Sequence, residues 1–169
     1  MRSVRRLLTT TAPASVILIR LAVGCVFLSE GIQKFLFPND LAAGRFLKIG
    51  IPAPEITGPF VGLVEVVCGS LIIPGLLTRI AAMLLIIDMC VALVSTKLPI
   101  LLGHNVWRFS LSKLPSYGFW SMAHEARTDF AMLLGSIFLL IVGAGAWSLD
   151  ATFASNSLQQ VKKVLTNNE

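Results

Sequence analysis

The chain is a succession of long apolar runs broken by a few isolated charges, with no sustained alternation of polar and apolar positions. Four runs stand out, at about Ala14 to Phe37, Pro59 to Leu77, Arg79 to Thr96 and Thr128 to Leu149. A membrane helix needs about 20 predominantly apolar residues. Each run is apolar nearly all round, whereas a helix on the surface of a soluble domain keeps a polar face. The pattern predicts an all-α polytopic membrane protein: an antiparallel four-transmembrane-helix bundle over residues 14–150. A basic segment, 1–13, precedes it and a polar tail, 151–169, follows. The very short link at Pro74-Gly75 makes the second and third spans antiparallel neighbours.

The connections carry their own signals. Between Phe37 and Thr57, Pro38, Gly50, Pro52 and Pro54 punctuate a stretch whose middle, LAAGRFLKIG, is apolar and basic. That composition suits a short interfacial helix lying over the outer mouth of the bundle. The longest connection, Lys97 to Arg127, holds His104, Trp107, Tyr117 and Trp120, rings that sit comfortably at a membrane interface. Arg2, Arg5 and Arg6 ahead of the first span place the N-terminus in the cytoplasm, and an even number of crossings returns the C-terminus there.

Charges inside such runs are costly and need partners. Glu30 and Lys34 are four apart with the acid first, the favourable order for a same-face ion pair. By helical angle Arg20 lies about 40° from Lys34, so all three can face inward. Glu65 falls well inside the second span, Arg79 opens the third, and Asp88 lies near mid-membrane. Glu125 and Asp129 share a face at the start of the fourth, where like charges call for a cation or a proton. By depth, the candidate polar cavity gathers Arg20, Glu30, Lys34, Glu65, Arg79, Asp88, His124, Glu125 and Asp129.

Composition narrows the chemistry. Of 169 residues, 55% are hydrophobic and 14% charged, and Lys+Arg 14 against Asp+Glu 9 gives a formal charge of +5. A basic surplus in such a chain suits anionic lipid headgroups, and no nucleic-acid-binding motif accompanies it. Membrane lipids, not nucleic acid, are the expected partners. The three cysteines, Cys25, Cys68 and Cys90, form no CxxC pair, and there is no nucleotide fingerprint. His104 and His124 both lie outside the apolar runs, so haem ligands facing each other from two membrane helices are missing. No catalytic residue or metal ligand is assigned. An internal network that fixes helix register accounts for the polar groups structurally. The alternative is a pocket for a quinone or similar amphiphile, its ring against an apolar wall and its oxygens near Lys34, His124 or a protonated Asp88.

The same residues carry a family resemblance. RLAVGCVFLSEGIQKF beginning at Arg20, GIPAP at Gly50, GLVEVVCGSLIIPGLLTR at Gly62 and GAGAWSLD at Gly143 together resemble the DoxX family of small four-helix membrane proteins. The resemblance rests on the order Arg20, Glu30, Gly31, Lys34, Glu65, Gly69, Gly75 and Arg79. It implies a bacterial inner-membrane protein, some relatives being similar to small subunits of quinone-linked oxidoreductases and others linked to thiol and oxidative-stress handling. The expected function is an accessory component of such a system, with quinone as the cofactor to look for. The expected partner is a peripheral or membrane redox subunit, or a second copy of the chain. That reading requires an apolar cavity beside Glu65 and Asp88, open laterally to lipid. A structural or assembly protein would instead show both carboxylates satisfied and no sizeable cavity. A small-molecule transporter, the third alternative, would need alternating access, and the discontinuous repeats common in such proteins are lacking.

Overall fold

The computed structural model describes residues 12–156. Arg2, Arg5 and Arg6 of the basic N-terminal segment, and the QQVKKVLTNNE end of the tail, lie outside the described residues. The described chain is all helical apart from its connections, and the one β-bridge, Val106 to Phe109, closes a tight turn. The helices are α1 (Val16–Leu36), α2 (Pro38–Leu41), α3 (Ala43–Ile49), α4 (Pro54–Ile72), α5 (Thr78–Ala92), α6 (Leu98–Leu102) and α7 (Phe119–Val142), and residues 149–156 are helical as well. A π-helical turn at Leu93–Lys97 joins α5 to α6. Among the described residues, three rods are long and apolar enough to cross a membrane: Val16–Leu36, Pro54–Ile72 and Thr78–Leu102. Large apolar side chains such as Leu18, Ile56, Phe60, Ile87 and Ile141 face outward, as a lipid-facing surface requires.

The fourth long helix differs from its prediction. α7 begins at Phe119 and ends at Val142, well before the expected Thr128 to Leu149. Gly143, at φ +85°, breaks it, so the GAGAWSLD stretch is a return segment and not a close-packed helix end. The first half of α7 carries His124, Glu125, Arg127 and Asp129, which sets it apart from the three apolar rods. α4 likewise starts five residues earlier than expected, at Pro54, whose ring fits the first helical position. Pro59 is accommodated inside that helix.

α1 and α4 form the tightest pair, and small residues allow it. A Cβ on Gly31 would stand 2.7 Å from the Gly62 carbonyl oxygen, and one on Gly69 would stand 2.7 Å from the Leu28 nitrogen and 2.8 Å from the Gly24 carbonyl oxygen. Pairing Gly24 with Gly69 and Gly31 with Gly62 runs one number up as the other runs down, so the helices are antiparallel. Backbones this close gain dispersion contact that bulkier residues would forbid. α5 and α7 are antiparallel by the same logic: Lys97 pairs with Asp129, and the Arg79 guanidinium donates to the Ile141 carbonyl at 3.2 Å. The two pairs meet around Val23, Phe27, Cys68, Ile72, Leu85 and Leu139.

One end is sealed by the return segment. Arg20, 2% exposed, donates through Nη1 to the carbonyls of Ala144 at 2.8 Å and Trp147 at 2.7 Å. Asp150, also 2% exposed, accepts from the N–H of Leu77 at 2.8 Å and of Thr78 at 3.0 Å. Its carboxylate thus caps the first turn of α5, where orphan donors and the helix dipole favour an anion. Gly75, at φ +74°, leaves room for the arginine, because a Cβ there would stand 2.5 Å from Nη1. The opposite end is covered by α2 and α3, and Ser110 N–H donating to the Ile49 carbonyl at 2.8 Å ties this cover to the 103–118 connection.

The α1–α4 contact gives the first test. Gly69→Ala is expected to cost about 1–3 kcal/mol through overpacking against backbone atoms that have no room to move, read as a lowered denaturation midpoint in detergent. An unchanged midpoint would mean that the two helices do not need this approach.

Candidate functional site

Between the covered end and the middle of the molecule lies a cavity of about 550 Å³. α1, α4, α5 and α7 supply its walls and α3 its roof. Phe27, Phe46, Phe60, Met89 and Met132 make much of the lining apolar. Polar groups enter from every side: Glu30 and Lys34 from α1, Arg45 from α3, Thr57 and Glu65 from α4, Asp88 from α5, Ser95 and Thr96 from the π turn, and Glu125, Thr128 and Asp129 from α7. Glu65 lies roughly 16 Å along its helix from Pro54, and Asp88 roughly 21 Å along its rod from Leu102, at about 1.5 Å per residue. Both carboxylates are therefore deep.

The centre of the polar set is an ion pair between helices. Lys34 Nζ donates to Glu65 Oε2 at 2.5 Å, with Glu65 3% exposed. The expected partner within α1, Glu30, is instead exposed at the cavity rim. The glycine-lined crossing brings α4 so near that the lysine reaches a buried carboxylate, and burial makes that contact stronger than a rim pair in water. Asp88 shares a side-chain hydrogen bond with Glu65 and lies in the field of Lys34 and Asp129, while its buried Oδ2 has no hydrogen-bond partner. At the mouth, Lys97 Nζ lies 3.1 Å from Asp129 Oδ2 and supplies the cation that the Glu125/Asp129 pair demanded.

Six of the nine candidates thus line one cavity: Glu30, Lys34, Glu65, Asp88, Glu125 and Asp129. Arg20, Arg79 and His124 do not line it. Arg20 lies at the sealed end, satisfying carbonyls that the break after α7 leaves open. Arg79, at the start of α5, faces the end of α7. His124 is exposed, and its carbonyl accepts a hydrogen bond from the Arg127 guanidinium. Inward angle alone misleads for Arg20, because angle fixes a side and not an end.

The cavity also has participants that the sequence pattern does not single out. Arg45 and Lys97 read only as charges in connections, although Arg45 belongs to the amphipathic stretch expected over the mouth. Ser95 and Thr96 are hidden by the π turn. Pro99 lacks the N–H that would continue the α-helical ladder to Ser95. The turn widens there, and the Thr96 hydroxyl donates to the Ala92 carbonyl at 2.7 Å. A proline three residues after a Ser-Thr pair in an apolar run is the available signal. Such π bulges recur at functional sites.

The profile of the DoxX family matches residues 15–98. The uncharacterized membrane protein Rv3486 of Mycobacterium tuberculosis (strain ATCC 25618 / H37Rv) is 56% identical over 145 residues, which cover 86% of this chain and 85% of that protein. The chain belongs to the DoxX family. It is a membrane protein, and the expectation drawn from its motifs is met at that level. No solved structure matches it. The matched DoxX segment contains Lys34, Glu65 and Asp88, whereas Glu125 and Asp129 lie beyond it on α7. The deep part of the cavity is therefore built within the DoxX segment, and α7 completes the mouth.

The ion pair provides a double-substitution test. Lys34→Met leaves Glu65 without its cation and is expected to cost about 3 kcal/mol, whereas Lys34→Met with Glu65→Leu is expected to recover most of that loss. Equal stability of the single variant and the wild type, by chemical denaturation in detergent, would show that the pair is not a structural contact.

Proposed function

We propose that this DoxX protein is a bacterial inner-membrane accessory component of a quinone-linked or thiol- and oxidative-stress-related oxidoreductase system, and that its cavity holds a quinone-type ring. In this reading the three apolar rods and α7 make an antiparallel four-transmembrane-helix bundle with both termini in the cytoplasm. The observation that carries it is the cavity of about 550 Å³ with aromatic and methionine walls and a deep Lys34–Glu65–Asp88 centre. Small-molecule sites are commonly about 300–1,000 Å³, mostly apolar, with a few convergent polar groups. A purely structural network would leave less space and no buried carboxylate oxygen unpartnered.

The residues present fit such a ligand. Phe27 of the α1 wall and Phe46 of the α3 roof offer apolar contact to a ring, and Asp88 Oδ2 is a buried polar atom in want of a partner. A bound quinone would supply two-electron, two-proton chemistry. The chain's own part is to enclose the ring, orient its oxygens at the Lys34–Glu65–Asp88 centre and exclude water beneath the α3 cover. With no nucleotide fingerprint and no thiol pair in the sequence, electron exchange falls to a partner subunit. That makes this chain an accessory component rather than a complete enzyme.

Two experiments test the reading. Mass spectrometry of the protein extracted in native nanodiscs from quinone-replete cells is expected to find an isoprenoid quinone and a redox subunit. Ala92→Trp, which fills the cavity from α5, is expected to lower quinone recovery at least about tenfold, the loss that follows when a ligand's buried site is blocked. Equal recovery from both proteins, or none from the wild type, would overturn the site. For topology, alkaline phosphatase fused after Glu169 is expected to be inactive and after Asn105 active, since that reporter works only outside the cytoplasm. The reverse pattern would invert the orientation.

A further inference from the structure

The cavity is bordered by polar groups on all sides but one. Among its lining residues, those that also face the outside are Glu30 on α1, Arg45 on α3, Glu125 and Thr128 on α7, and Phe60 and Val91 on α4 and α5. Only the α4–α5 side is apolar where it reaches the surface. The Glu65–Asp88 hydrogen bond sets the register of these two helices. Four residues further along each, toward the covered end, Val61 comes level with Ala92, so Phe60 and Val91 border the cavity at one depth.

Val91 is a wall of a second space as well. An outer groove of about 510 Å³ is bounded by Cys90, Val91 and Val94 on one side and by Trp107, Arg108 and Phe109 on the other. Residues 106–109 make a two-residue hairpin turn: Val106 N–H donates to the Phe109 carbonyl at 3.1 Å, and Phe109 N–H donates back at 2.8 Å. Trp107 takes the first central place at φ +52°, where glycine or asparagine is usual and a bulky side chain is strained. Its ring is exposed, so packing within the chain does not offset that strain. The turn is seated against the end of α3, because a Cβ on Gly50 would stand 2.1 Å from the Arg108 carbonyl oxygen. The roof of the cavity and the outer wall of the groove are thus one construction.

We propose that the cavity takes an amphiphile with a long apolar chain, whose ring stays at the centre while the chain leaves past Phe60 and Val91 and lies in the groove against Trp107 and Phe109. This rests on the quinone reading and adds a tail subsite to it. A chain leaving past Glu30, Arg45 or Glu125 would press hydrocarbon against charged groups and strip them of water. Past Val91 it meets only valine, thiol and aromatic surface. Lipid tails are as apolar as the groove. The groove therefore fixes where the chain lies and adds little affinity, so position is the quantity to measure.

The test uses the full chain in nanodiscs and two photoreactive probes. One is a farnesyl-substituted benzoquinone with a diazirine at the far end of its chain; the other carries the diazirine on the ring. Peptide mass spectrometry after illumination reads where each inserts. The chain-end probe is expected to label Cys90, Val94, Trp107 and Phe109 above every other lipid-facing residue, and the ring probe to label the cavity lining. An excess of unlabelled benzoquinone without a chain is expected to remove both sets, because displacing the ring withdraws its tail. Val94→Trp, which fills the groove from the lipid side, is expected to lose the groove adducts and keep the ring adducts. The wild-type map needs no substitution, so it stands even if that variant fails to fold. Chain-end adducts scattered evenly over the lipid-facing helices, with ring adducts in the cavity, overturn the groove and leave the quinone site in place. No ring adducts in the cavity overturn both. Groove adducts that survive the chainless competitor make the groove a place for lipid chains in general, and unchanged groove adducts in a folded Val94→Trp place the chain elsewhere; either overturns the subsite.

Discussion

A buried carboxylate must have a counter-charge, and in this molecule the nearest one belongs to a different helix. The Lys34–Glu65 contact at 2.5 Å exists because glycines at 24, 31, 62 and 69 let α1 and α4 approach until their backbones nearly touch. Close approach and ion pair depend on each other: without the glycines the lysine would fall short, and without the lysine a charge would be stranded among apolar helices. Fixing these two helices also fixes where α5 must run. Asp88 then faces the same centre, and the space between the two helix pairs becomes a cavity instead of a filled core.

Much of this arrangement is legible in the amino-acid sequence. The apolar runs mark α1 and the α5–α6 rod to within a few residues at most boundaries, since nothing competes with a helix for an uninterrupted apolar segment in lipid. The interfacial helix over the mouth follows from the basic, apolar stretch between two proline clusters. Depth along alternating helices gathers Glu30, Lys34, Glu65, Asp88, Glu125 and Asp129 between one end and the middle of the bundle, and all six line the cavity.

What the sequence hides has a common cause: partners chosen by tertiary contact. Glu30 is the sequence neighbour of Lys34 on its helix face, yet Glu65 wins because it is buried and Glu30 can be solvated at the rim. Arg20 points inward as expected but serves carbonyls more than a hundred residues away. The start of α7 is obscured because His124, Glu125 and Arg127 look like a connection until Lys97 and the cavity give that face a purpose. The GAGAWSLD stretch has the look of a helix end and is instead a fitting that carries Asp150 to α5.

The return segment also orders events in time. Arg20 emerges early in synthesis, but both hydrogen bonds from its Nη1 end on carbonyls of Ala144 and Trp147, and the first turn of α5 waits for the carboxylate of Asp150. Ala146 N–H likewise donates to the Ala12 carbonyl, joining the return segment to the first described residue. Until the last of these residues leaves the ribosome, a buried guanidinium and a helix start stay open although all the long helices have been made. Nascent DoxX chains of this sequence must therefore remain unlatched until residue 150 is made, and the return segment acts as the closing bolt of the helices before it.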